Sequence, residues 1–84
     1  MYEEALQTYR DLDARINPID NWVVRRDLKR MLRHCDNIFR EISRENVNFM
    51  RTGRPSQHLL QLHNKFEESV TRLDQYVTLA LLST

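Results

Sequence analysis

Apolar residues recur at every third or fourth position over three stretches of the chain, and that spacing predicts three α-helices. Over residues 2–16 the stripe is Tyr2, Leu6, Tyr9, Leu12 and Ile16. Over residues 18–51 it is Val24, Leu28, Met31, Cys35, Ile38, Ile42 and Phe49, widened by Leu32 and Phe39. Over residues 57–82 it is Leu59, Leu62, Phe66, Val70, Leu73, Tyr76, Val77 and Ala80. Chain breakers fall between these stretches. In Asn17-Pro18-Ile19-Asp20, Asn17 suits an N-cap, Pro18 the first helical position and Asp20 the first turn. In Thr52-Gly53-Arg54-Pro55-Ser56, Gly53 suits the left-handed conformation that ends a helix, and Pro55 or Ser56 starts the next. Acid–base pairs four residues apart, Asp11–Arg15, Asp36–Arg40 and Glu68–Arg72, are expected to support the helices by roughly 0.2–0.5 kcal/mol each.

The fold expected is an all-α, antiparallel three-helix bundle in one domain, residues 1–84. At about 1.5 Å per residue the helices are roughly 22, 50 and 39 Å long. Short connections make neighbours antiparallel, so the first helix covers only the N-terminal half of the second and the C-terminal half of the third. Trp22-Val23-Val24 and the run from Val77 to Leu82 are apolar over more than one face, as a three-helix region requires. The other end is expected to be a two-helix hairpin tip beyond the reach of the first helix. Phe39, Ile42, Phe49, Met50, Leu59, Leu62 and Phe66 are assigned to this tip, as exposed apolar surface that meets a second copy in a homodimer or another protein.

Composition narrows the class. The chain has 84 residues, one glycine and two prolines, which argues against sheets and long loops. Cys35 is the only cysteine, so no internal disulfide forms and a reducing, cytoplasmic location is expected. The acidic start, Met1-Tyr2-Glu3-Glu4, is unlike a secretory leader, and no apolar run is long enough to span a bilayer.

Charge is uneven although the net charge is only +1. Nine Lys and Arg against four acids lie between residues 21 and 54, whereas residues 1–20 hold two Arg against five acids. Arg26, Lys29, Arg30, Arg33, Arg40, Arg44 and Arg51 fall opposite the apolar stripe of the second helix, and form a positive ridge roughly 35–40 Å long. The preference for Arg over Lys favours bidentate contact with carboxylate or phosphate. The ridge is thus a candidate face for an acidic protein partner, for nucleic acid, or simply for solvent.

No catalytic constellation emerges. Cys35 lies on the core stripe, and adjacent His34 points about 100° away from it. His58 and His63 are five apart, and the position four after His58 is Leu62, so helical metal-ligand spacing is not met. The acids lie on polar faces, except Glu45, which falls near the helix seam, where it either pairs across the hairpin or marks where the bundle opens. A phosphate-binding loop needs more glycine than Gly53 alone. The reading is a small non-enzymatic protein-binding module, an adaptor, regulator or inhibitor that acts by surface contact and self-associates through the tip. A nucleic-acid-binding protein using the basic ridge is the alternative, and a structural self-assembling subunit the third reading. No cofactor, metal, membrane or small-molecule substrate is expected.

Overall fold

A computed structural model describes residues 2–54 and 56–83. Three helices make up the fold: α1 (Tyr2–Ile16), α2 (Trp22–Thr52) and α3 (Gln57–Leu82). Contacts along their lengths set the directions. Tyr2 of α1 stacks on His63 and Arg15 reaches Thr78, so α1 and α3 run parallel. Tyr9 meets Phe39 while Asp13 meets Lys29, so α2 runs antiparallel to both. The bundle is a rod about 49 Å long.

The turn at Gly53 follows the sequence signal. Gly53 has φ 70°, the left-handed region, and its N–H donates to the Phe49 carbonyl at 2.7 Å. Ser56 caps α3 by accepting from the Leu59 N–H at 3.0 Å. Pro55, the other candidate start, lies outside the described residues. Glu45 does pair across this turn, as its Oε2 accepts from the Ser56 hydroxyl at 3.4 Å.

The first connection departs from expectation. Asn21 caps α2, accepting from the Val23 and Val24 N–H groups at 3.0 and 3.2 Å, and residues 17–20 lie outside the helix. Ile19 supplies the reason. On a helix begun at Pro18 it would precede Val24 by five residues and point about 140° away from that core stripe. Unwound, it is 1% exposed within the core. Its N–H donates to the Ile16 carbonyl at 3.1 Å, and Arg25 Nη1 donates to its own carbonyl at 2.6 Å. Lys29 Nζ donates to both Asn17 Oδ1 and Asp13 Oδ1, at 2.5 and 2.6 Å, which ties the loop to both helices.

A single core joins the helices, with Leu12, Ile16, Cys35, Ile42, Val70, Leu73 and Val77 fully buried in it. Phe66 sits where the three helices meet, ringed by Tyr2, Tyr9 and Phe39 at centroid distances of 5.5, 5.3 and 6.0 Å. Tilted and edge-on packing of this kind adds roughly 0.5–1.5 kcal/mol per pair to the area buried. The Tyr9 hydroxyl donates to Asp36 on α2.

Two further expectations are corrected. None of the three local acid–base pairs forms: Arg15 pairs with Asp74 across α1 and α3, and Asp36 accepts from Tyr9. Glu68 and Arg72 form no ion pair with each other. Part-buried interhelical bonds outcompete exposed local ones worth only a few tenths of a kcal/mol. Likewise, Trp22, Val23, Leu79 and Leu82 are exposed, Trp22 to 63%, although their end of the rod was expected to need several apolar faces. Helix α1 stops at Ile16, and Ile19 fills the core there instead. Trp22 lies outside, with the Arg26 guanidinium 5.4 Å from its ring centre.

Burial, together with the bond to Asp36, raises the Tyr9 phenol well above its usual range. Burial also raises the Tyr2 phenol. A folded-state value above the unfolded one means that the folded chain holds its proton longer. This stabilisation is complete below the unfolded tyrosine value of about 10 and is lost as pH rises beyond it. Tyr9→Phe is therefore expected to cost about 1 kcal/mol at pH 7 and to flatten the fall in stability above pH ~10. Urea unfolding of both proteins from pH 7 to 11 checks this, and parallel pH curves would show that Tyr9 does not contribute in the way described.

Candidate functional site

The basic ridge of α2 is present but is not uniform. Arg26, Arg30, Arg33, Arg40, Arg44 and Arg51 are exposed, whereas Lys29 is half-buried. Lys29 leans toward α1 and is occupied by Asp13 and Asn17, so it leaves the ridge. Its position, about 120° from the centre of the stripe, puts it at the α1 seam. Arg26 is taken up by Trp22 and by Asp27, 3.5 Å away. Arg30, Arg33, Arg44 and Arg51 carry no ion pair among the described residues.

The apolar set assigned to the tip divides in two. Ile42, Leu62 and Phe66 are buried, and Phe39 and Leu59 pack against the core, so these five belong to the chain's own interior. The reason is the reach of α1: Tyr2, at its very start, lies on His63 and Phe66, and Tyr9 covers Phe39. Phe49 and Met50 remain outside, 37% and 81% exposed, together with Val47 at 57% and Leu60 at 62%.

Cys35 is buried, and its thiol is pushed up to about 11, first by burial and then by the nearby Asp36 carboxylate. A thiol held protonated is a poor nucleophile and a poor metal ligand. His34 and His58 are exposed, while His63 is half-buried beneath the Tyr2 ring at 4.4 Å. Among the described residues no three His, Cys, Asp or Glu side chains are grouped to hold a metal. No helix of the described residues is long and apolar enough to cross a membrane.

A groove that the hydrophobic pattern did not reveal runs between α2 and α3. It has a volume of about 290 Å³ and is lined by Arg30, Met31, His34, Cys35, Ser69 and Arg72. Met31 and Cys35 supply apolar side chains, and the two arginines reach it from different helices. Arg72, like Arg30, has no ion pair among the described residues. On a one-dimensional reading Arg72 belongs to Glu68, and only the pairing of the helices brings it beside Arg30. The exposed apolar residues at the opposite end of the rod, Trp22, Val23, Tyr76, Leu79 and Leu82, were also missed as surface.

Compared with protein-family models, curated proteins and solved structures, the chain matches none. The geometry therefore carries the functional argument.

The placement of Cys35 makes a direct prediction. A thiol reagent is expected to label it slowly in the native protein at pH 7 and rapidly in denaturant. Native labelling should accelerate as pH approaches about 11, where the thiolate forms. Fast native labelling at pH 7 would contradict a buried thiol.

Proposed function

We propose that this chain is a small non-enzymatic protein-binding module that works by surface contact and self-associates through the far end of the α2–α3 hairpin. The observation that carries this reading is the exposure of large apolar residues near the Gly53 turn: Phe49 and Met50 on α2 and Leu60 on α3, with Val47 exposed on another face of α2. They flank the turn on the two helices, beyond the contacts of Tyr2 and Tyr9 with α2 and α3. In this reading the turn-proximal segment acts as a two-helix tip, shorter than the sequence pattern predicts. Large apolar side chains left exposed at one end of a small protein are candidates for an interaction site. Two such ends meeting about a two-fold axis form a short four-helix arrangement.

Magnitudes decide how strong this contact is. Full burial of a wholly exposed Leu, Phe or Met side chain contributes roughly 1.5–3 kcal/mol; Phe49, Met50 and Leu60 start 37–81% exposed, so the three from each of two copies supply about 5–11 kcal/mol. Association costs about 4–15 kcal/mol. The balance describes a dimer of micromolar affinity or weaker. The buried thiol of Cys35 supports the non-enzymatic part of the reading and fits a reducing compartment such as the cytoplasm.

Sedimentation equilibrium from micromolar to near-millimolar concentration is expected to show a monomer–dimer equilibrium. Phe49→Asp and Met50→Asp should each shift it to monomer with unchanged helical circular dichroism. A wild-type monomer throughout, or a dimer indifferent to both changes, refutes self-association at this end. Species larger than a dimer would favour the structural subunit instead, with the apolar residues at the Trp22 end as the second contact.

Nucleic-acid binding is a second reading, favoured by Arg33, Arg44 and Arg51, which are exposed along about 27 Å of one helix and carry no ion pair among the described residues. It predicts binding of duplex or single-stranded DNA or RNA that weakens steeply with salt and disappears on reversing these three residues to Glu. The reversal should leave stability nearly unchanged, because exposed charges contribute little. No binding at low salt eliminates this reading.

A further inference from the structure

The α2–α3 groove brings together two arginines from different helices, and neither makes an ion pair among the described residues. Along α1, charge and hydrogen-bonding capacity are used between helices: Arg15 with Asp74 and Thr78, Lys29 with Asp13, and Tyr9 with Asp36. The groove on α2 and α3 receives no α1 side chain. Its two guanidinium groups, Arg30 and Arg72, have no carboxylate partner among the described residues. Nor is this for want of acids nearby in sequence. Asp27, three residues before Arg30, is 3.5 Å from Arg26, and Glu68, four before Arg72, makes no ion pair with it.

Ser69, half-buried, also lines the groove. Like Thr8 and Thr71, and unlike Ser43, Thr52 and Thr78, its hydroxyl makes no bond to the carbonyl four residues earlier among the described residues. The groove therefore offers two cations, a hydroxyl and the exposed His34 around the apolar side chains of Met31 and Cys35.

We infer that this groove binds an acidic helical segment of a partner protein, with an apolar side chain over Met31 and Cys35 and carboxylates against Arg30 and Arg72. Charge complementarity selects the occupant. Guanidinium groups bind carboxylates in bidentate pairs, and the seam between two antiparallel helices is where a further helix packs in a bundle. A thioether adapts to the shape of an incoming apolar side chain. The apolar lining between the arginines fits a side chain better than a sugar–phosphate strand, which separates this groove from the outer face of Arg33, Arg44 and Arg51. The inference rests on the reading of the chain as a protein-binding module, but not on its self-association.

The test uses the full chain and a displayed library of amphipathic helices of about 18 residues, roughly 27 Å long. Their apolar stripe is fixed, and the flanking polar positions vary among Glu, Gln and Lys. Selection is expected to enrich Glu over both Gln and Lys at the flanking positions. A synthesised winner should bind Phe49→Asp as it binds wild type, and should lose roughly tenfold or more in affinity for Arg30→Glu/Arg72→Glu. Arg30→Gln/Arg72→Gln guards against misfolding from charge reversal and should also weaken binding, with helical circular dichroism retained. Enrichment of Gln or Lys, no enrichment, or binding indifferent to both double variants overturns the inference. A winner lost in Phe49→Asp and kept in the double variants also overturns it, but leaves the protein-binding reading in place. Sedimentation decides self-association separately.

Discussion

The packing of Phe66 against aromatic side chains from the other two helices holds the bundle together. A hairpin of two long helices buries one stripe on each, and leaves the seam open along both sides. Helix α1 closes one side, and its hold there begins with Tyr2 and Tyr9 against Phe66, with Phe39 completing the ring. Because Tyr2 is at the first position of α1, almost the whole helix is engaged. That reach determines how much of the α2–α3 seam is interior and how much is left near the Gly53 turn.

Polar contacts reinforce the same asymmetry. The acidic N-terminal segment places Asp13 beside Lys29, while Tyr9 engages Asp36 of α2 and Arg15 engages Asp74 of α3. These bonds fix the register of α1 on the hairpin, and they occupy charges that would otherwise be solvated. On the groove side no third helix does this, and Arg30 and Arg72 remain unpaired among the described residues. The same arrangement that completes the core on one side thus leaves a positively charged, partly apolar groove on the other.

Two surfaces of different chemistry follow, the apolar far end and the charged groove. In the function proposed above, burial of apolar area would drive contact at the first, with little dependence on salt. Pairing of charges would govern the second, and would set specificity and rate of encounter more than raw affinity. The two proposed contacts therefore concern separate places on the chain and are tested separately.

Helix identity and the Gly53 turn were legible in the sequence, because local rules control them. The three-to-four spacing marked α1 and α3 at their observed limits, Gly53 alone could take a left-handed φ without strain, and Ser56, which caps α3, was one of two residues expected to start it. Burial of Cys35 and the core stripe of α2 followed from the same periodicity. The start of α2 was not decided locally: Asn17 and Asn21 are both good caps, and the choice fell to Ile19, which reaches the core only if the chain unwinds. Nor could spacing reveal that Tyr2 reaches Phe66, which moved Ile42, Leu62 and Phe66 from expected surface to interior. The sequence by itself determined that there are three helices, where each stops and which face of each is apolar, since these depend on neighbours within four residues. Only the tertiary structure decided which charges are spent between helices and which are left over, because each pairing depends on the register of one helix against another.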